Sequence, residues 1–347
     1  MSDNVTRDSG IVTLQMIADA AGVSRSTVSR GLKNHPRIGE KTARRIQKLA
    51  DDMGYCRDAH LTDLMIRLRK RKHVMERPVI AMLFWQNFAV KLENSGVTGG
   101  LWQRARECGY QPEAFNLTEF QDKRRIARIL YSRGIDGVIL CPAQVPSPLP
   151  DLPWRHFSVV AVGHSIFSHS LHRCANNHFD RMRMCVERLI ALGYKRIGAA
   201  LTTAVDRRTH GFYHAAYLLE QKTRQDATLV PLLHGRGLRE EDEKSFYHWF
   251  DQWTPEVIIC GSTVEFVHEC LKKRGLKVPR NVGLVDMNYP SKAGYSGVLQ
   301  NGFETGVAAV DLLITLMQAN EKGLPKIPRD IFVGGTWING TSTKEIK

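Results

Sequence analysis

No stretch of the 347 residues approaches the roughly 18 uninterrupted apolar residues that a membrane span needs. The opening MSDNVTRDSG has neither a basic n-region nor an apolar h-region, so the chain is expected to be cytoplasmic with no membrane partner. The seven cysteines, Cys56, Cys108, Cys141, Cys174, Cys185, Cys260 and Cys270, include no C-x-x-C pair. An odd, scattered set of that kind reads as reduced structural thiols rather than a disulfide framework. P-loop, G-x-S-x-G and G-x-G-x-x-G sequences are also missing, so catalysis is not indicated and no cofactor or metal is expected. Acidic residues are in short supply, 35 Asp+Glu against 49 Lys+Arg, a net +14. Residues 1 to 77 hold 16 basic and nine acidic residues, a net +7, so half of the excess sits in under a quarter of the chain. A basic head on a less biased body is the footprint of a polyanion binder. Nucleic acid is the leading partner and an anionic membrane surface the weaker alternative. With 43% hydrophobic and 24% charged residues the chain has an ordinary globular composition, enough for two or three domains.

Within the head, apolar residues take helical spacing three times. Leu14, Ile17, Ala18 and Ala21 follow i, i+3, i+4, i+7; Val28 and Leu32 share a face after Ser24; Ile46, Leu49, Ala50 and Met53 repeat the first pattern. Gly22 offers a sharp turn between the first two segments, and Ser24 can cap the second. Helix, glycine turn, helix and a third supporting helix form the layout of a helix-turn-helix DNA-binding domain, whose second helix enters the major groove. Its exposed face carries Arg25, Ser26 and Arg30 as expected base readers, arginine offering a bidentate fork to guanine. Ser24, Thr27, Ser29 and Asn34 are expected neutral donors to phosphate.

The run from Val12 to Asn34, VTLQMIADAAGVSRSTVSRGLKN, resembles the headpiece of the lactose/galactose repressor family of bacterial transcription regulators. The resemblance implies a hinge helix after Gly54-Tyr55 that orders on the operator, with Leu64 as the leucine wedged into the minor groove. Cys56-Arg57-Asp58 departs from the family's usual proline-containing entry. Leu61, Leu64, Met65 and Leu68 nevertheless share a helical face, followed by the basic run Arg69 to Lys72.

Beyond Arg77-Pro78, apolar runs at Val79–Trp85, Gly137–Cys141, Ser158–Val162, Arg196–Leu201, Val257–Cys260 and Val282–Asp286 read as buried strands. Helical patterns at Leu101–Cys108, Arg124–Tyr131, Met182–Leu192 and Phe212–Leu219 lie between them. The alternation predicts an α/β body with two parallel sheets and a ligand cleft between them. Gly193-Tyr-Lys-Arg-Ile-Gly198 and Arg208-Thr-His-Gly-Phe212 carry the family resemblance into this body, and Val285-Asp286 stands where the family places an acid at a strand end. The expected fold is therefore an all-α helix-turn-helix headpiece (1–56), a hinge helix and basic linker (57–77), and a periplasmic-binding-protein-like α/β body (78–340). Its first subdomain is expected to span about 78–163 plus 296–322, and its second about 164–295 plus 323–340.

Expected effector-binding residues are Trp85, His164, Arg208 and Asp286. Arg208 would point its planar fork into the cleft, and an aromatic such as Trp85 would stack on a sugar ring. Gly163-His164, Asn176-Asn-His-Phe-Asp180 and Thr263-Val264 replace common family residues, so the effector is expected to differ from the simplest monosaccharides. His164, His169, His172, Cys174 and His178 match no standard zinc spacing and read as a loop of solvated or hydrogen-bonded histidines. His210 and His214 lack the glutamate of H-E-x-x-H. After Trp337 only a short polar tail follows, with no leucine heptads for an added oligomerisation helix. The resemblance implies a ligand-responsive regulator, a repressor in its ordinary mode, that binds a pseudo-palindromic operator in double-stranded DNA as a homodimer and takes a carbohydrate or similar small effector. The competing reading is a sugar-binding protein or carbohydrate-modifying enzyme with an incidental basic extension.

Overall fold

The computed structural model describes residues 14–32, 35, 38–53, 77–85, 96–120, 122–143, 145–168, 170–235, 242–287 and 294–346. Two compact units divide the chain, Met1–Glu76 and Arg77–Lys347.

The first unit contains α1 (Leu14–Ala21), α2 (Arg25–Gly31) and α3 (Glu40–Asp52). Ile17, Ala18, Val28, Ile46 and Ala50 are its buried core, which is the set that the helical spacing places on one side. Gly22 makes the turn from α1 to α2 at φ 60°, a left-handed conformation that costs a glycine little. Arg45 of α3 donates to the Ala21 carbonyl at 2.7 Å, satisfying the end of α1, and so pins the third helix to that turn.

In the second unit the strands fall into two large sheets. The first has the order β14 (Asp330–Val333), β7 (His172–Asn176), β5 (Ser158–Val162), β3 (Gly137–Leu140), β1 (Val79–Phe84) and β2 (Gln111–Asn116), all parallel. The second runs β10 (Leu233–Gly235), β8 (Arg196–Thr202), β11 (Val257–Gly261), β12 (Gly283–Asp286), β13 (Ser296–Leu299) and β15 (Thr336–Ile338), with β9 (Thr228–Leu229) beside β8. Only the β13–β15 pair in this sheet is antiparallel. A two-stranded ladder joins β4 (Ser147–Pro148) to β6 (Ile166–Phe167).

Helices α4 (Gly96–Glu107) and α5 (Lys123–Ser132) accompany the first sheet. On the second lie α6 (His178–Ala191), α7 (Thr203–Arg208), α8 (Phe212–Thr223), α9 (Glu243–Trp253) and α10 (Val264–Lys273). The last helix, α11 (Gly302–Ala319), is long and apolar enough to pass for a membrane span. Its Ala309, Val310, Leu313 and Leu316 instead pack with Ile80, Met82, Ile139 and Val160 in the first sheet's core. Close approach to α4 explains two glycines: a Cβ on Gly100 would stand 1.9 Å from the Phe303 carbonyl oxygen, and one on Gly306 would stand 2.2 Å from that of Val97. Cys141, Cys174, Cys185, Cys260 and Cys270 are free and buried among these cores.

The halves divide differently from the expected boundaries. His172–Asn176 and Asp330–Val333 pair with the first sheet, whereas Ser296–Leu299 and Thr336–Ile338 belong to the second. Among the described residues the chain therefore crosses between halves three times, at 177, at 300–301 and at 334–335. These crossings are bonded to one another. Asn177 N donates to Val333 O at 2.9 Å, and Asn301 Nδ2 donates to Gly334 O at 2.8 Å and Thr336 Oγ1 at 3.1 Å. The reason for the difference is the polar spelling of β7, His-Arg-Cys-Ala-Asn, which has no apolar run. Arg173 is nevertheless buried there because its guanidinium reaches the carbonyls of Gly163 (2.5 Å), Ile166 and Ser168 (3.2 Å each). The polar tail runs back along the second half: Leu284 N donates to Ser342 O at 2.9 Å, and Ile346 N to Leu192 O at 2.7 Å.

Candidate functional site

In the headpiece, Ser24 is the N-cap of α2; its Oγ accepts from Thr27 N at 3.2 Å and lies 2.8 Å from both Ser26 Oγ and Thr27 Oγ1. Two of the expected phosphate donors, Ser24 and Thr27, thus first serve to start the helix. Val28 and Gly31 face the core, which leaves Arg25, Ser26 and Arg30 together on the exposed side, with Ser29 half-buried beside them. That face presents two guanidinium forks and a hydroxyl at and beyond the helix start, the chemistry for reading base edges. Asn34, Leu64 and the linker up to Glu76 lie outside the described residues.

In the body, ligand chemistry is expected at the carboxyl ends of parallel strands. At that end of the first sheet His164 follows β5 and is only 4% exposed. Its ring is surrounded by aromatic rings from both halves: His210 at 5.2 Å between centroids, Phe212 edge-on at 5.1 Å, His178 at 5.8 Å and Phe332 of β14 stacked at 6.1 Å. Phe167 stacks on His210 at 5.5 Å. Phe167 and Phe332 remain 46% exposed, so this aromatic wall keeps open faces. His210 holds φ 53° and Gly211 φ 70°, a left-handed pair that turns α7 into α8 and delivers His210 and Phe212 to the wall. A non-glycine residue at such a φ is strained, which fits a position held by its surroundings.

Below the wall lies a buried polar floor. His178 Nδ1 is 3.0 Å from Tyr213 Oη. Arg181, fully buried, donates to Tyr213 Oη and to the carbonyls of Met287 and, at 2.9 Å, Val298. Burial pushes His164 down to about 3, with Arg173 and His210 adding to the effect. Burial likewise takes His178 to about 2, helped by Arg181, His164 and Arg208. Both rings are therefore neutral at physiological pH. Tyr213 is raised to about 12, first by burial; Arg208 opposes that shift and Asp286 reinforces it, so both charges are felt at this floor.

His164 is thus in ring contact with His178, while Arg208 and Asp286 reach this floor only through their charges. Asp286 is buried at the end of β12, and Arg208 is exposed at the last position of α7. Trp85 is not brought to this group; it is half-buried against the core of Ala81, Leu83 and Phe115. The histidine cluster also divides: His172 bonds Glu321 Oε1 at 2.9 Å and accepts from Arg329 N at 3.0 Å inside β7, so it is a structural group of a strand rather than part of a loop. Sequence reading missed Phe167, Phe332 and Arg181, which come from separate segments with no shared motif. The adjacent His210-Gly211 was the one local signal of a strained turn. A cavity of about 860 Å3 lined by Arg124, Arg128, Tyr131 and Arg155 opens at the opposite, amino-terminal ends of β3 and β5, away from this chemistry.

Comparison with known proteins bears on both regions. Residues 13–58 match the family model of bacterial regulatory proteins of the lacI family. The HTH-type transcriptional repressor CytR of Escherichia coli K12 is 22% identical over 324 residues, covering 90% of this chain and 91% of CytR. The probable HTH-type transcriptional regulator EndR of Paenibacillus polymyxa is 22% identical over 330 residues, covering 90% and 92%. Among solved structures, a lac repressor dimer bound to operator and the anti-inducer ONPF superposes with TM-score 0.56 at 15% identity, covering 96% of this chain and 100% of that one. A complex of the transcriptional regulator CelR with cellobiose gives 0.53 at 19% identity, covering 95% and 99%. The headpiece thus matches the lacI family of bacterial regulatory proteins, and the chain as a whole is similar to repressors of that kind.

Proposed function

We propose that this chain is a ligand-responsive transcription regulator that reads a pseudo-palindromic DNA site as a homodimer and takes a sugar or similar small polar effector in the cleft of its body. The observation that carries the reading is the joining of two features in one chain: Arg25, Ser26 and Arg30 exposed on α2, and an open aromatic wall contributed by both halves of the body, with the charges of Arg208 and Asp286 felt at the polar floor below it. Rings offer faces to the apolar side of a sugar, while a guanidinium and a carboxylate fix its hydroxyls. Repressor action fits the relatives. The three bonded crossings support a closing motion of the halves, through which effector and DNA would alter each other's affinity equally. Leu64 would wedge into the minor groove from each hinge, and a headpiece that reads half a site alone calls for a dimer. The chain acts by binding rather than by catalysis.

The test is selection of bound DNA from a random pool with the full chain, followed by titration of the enriched site with a carbohydrate panel. The expected result is a palindrome with a flexible pyrimidine-purine step at its centre, whose occupancy one sugar changes. Salt-sensitive binding without sequence enrichment would overturn the regulator and favour a sugar-binding protein with a basic extension.

A further inference from the structure

On the edge of the second sheet, apart from the aromatic wall, three side chains far apart in sequence converge. Asp206 comes from α7, His214 from α8 and His234 from β10. Asp206 Oδ2 lies 3.0 Å from His214 Nδ1 and 2.8 Å from His234 Nε2, and the two rings stand 5.4 Å apart, tilted by 42°. One ligand atom from each residue falls within a 4.8 Å group. From this geometry we infer that Asp206, His214 and His234 form a site for a divalent first-row metal ion, zinc above all.

Three features carry the inference. Ligand atoms of a tetrahedral zinc at about 2.0–2.1 Å from the ion are about 3.3 Å apart, so the two spacings from Asp206 Oδ2 need to open by only a few tenths of an ångström. The second oxygen of the same carboxylate, Asp206 Oδ1, is buried and has no hydrogen-bond partner. Two imidazoles crowding one oxygen while the other goes unused is a poor arrangement for a carboxylate, which can accept at both. A cation between the three groups would employ the same nitrogens through their lone pairs and leave Oδ1 free to hold the ion or its water. Both histidines are about one-third exposed, at 35%, so a fourth position is open to solvent. Two imidazoles and one carboxylate, with no thiolate, suit zinc and its neighbours, whereas calcium and magnesium prefer all-oxygen shells.

The ion would tie α7, α8 and β10 together. The stretch between Asp206 and His214 carries Arg208, His210 and Phe212, so occupancy would brace one wall of the cleft. Metal binding itself is independent of the proposed effector: either can fail without the other.

The full chain, stripped with a chelator, is titrated with Zn2+ against a chromophoric chelator and separately with Co2+ while the visible spectrum is read. One equivalent of Zn2+ and intense tetrahedral Co2+ bands are expected. Asp206→Asn and His234→Gln should each weaken Zn2+ at least tenfold, whereas His248→Gln, exposed on α9, should leave it unchanged. Zn2+ should also raise the melting temperature of the natural chain and not of His234→Gln. His234 is a third exposed, so its variant carries the test should the more buried Asp206→Asn fail to fold. No uptake of Zn2+, or uptake that persists in His234→Gln, overturns the site.

Discussion

The headpiece and the cleft distribute chemistry in opposite ways. On α2 the side chains proposed to read DNA, Arg25, Ser26 and Arg30, are exposed, and the five core residues of the headpiece do the folding. In the cleft the groups proposed to face an effector, His164 of the wall and His178, Tyr213 and Arg181 of the floor, also belong to the packing of the body, all but the half-buried His178 being buried. Function and stability are separable in the first region and entangled in the second.

The sharpest way to break the contrast is to attack the small core. Ile46→Ala should remove about 2–5 kcal/mol from the headpiece, enough to unfold so small a core. DNA binding should vanish while the body's melting transition stays where it was; a shift of both together would show that the two units do not fold independently. The entanglement of the cleft predicts a pH effect. His164 and His178 stay neutral in the native state down to about 3 and about 2 because they are buried. In the unfolded chain such rings take up protons below about 6.5. The stability they allow is therefore complete above that value and drains as pH falls, by up to about 1.4 kcal/mol per pH unit for each ring. Denaturant titrations between pH 6.5 and 5 should show this slope, above the range where carboxylates protonate, and His164→Phe should reduce it.

Arg25→Ala should cost about 1–3 kcal/mol at one base pair with no change in melting temperature. Equal losses on selected and random DNA would take Arg25 out of the base-reading set. The smallest effect belongs to a residue with both duties: Ser24→Ala should lower headpiece stability by about 0.5–2 kcal/mol through the lost cap. Comparison of the melt with binding at saturating protein separates that loss from any phosphate contact.

The same contrast governs what could be read from the sequence. Three helices, the glycine turn and the exposed face of α2 all lie within about forty consecutive residues, each signalled by spacing that one helix face imposes. Six strands announced themselves as apolar runs for the same local reason. Strand β7 did not, since Arg173 is satisfied by carbonyls that only the fold brings near, and with it went the boundary between the halves. His164 and Asp286 were expected from their places at strand ends and Arg208 from the family's Arg-x-x-Gly-Phe at a helix start, whereas the structure has Arg208 at the end of α7, just before α8. Phe167 and Phe332 were not, because a ring on a short strand carries no mark of which distant ring it will meet. The pairing of His234 with Asp206 was invisible for the same reason.

The three crossings also bear on how the protein is made. The sheet that begins with Val79 lacks its core helix until Ala319 has been synthesised, and its last strand ends at Val333. The other sheet waits for Ile338. A headpiece leaving the ribosome can close on its own once Asp52 has been added, but neither half of the body is complete until the strands ending at Val333 and Ile338 have been translated. The nascent body must therefore carry two unfinished parallel sheets, with their apolar faces open, through most of its synthesis, which makes it the natural client of a holding chaperone.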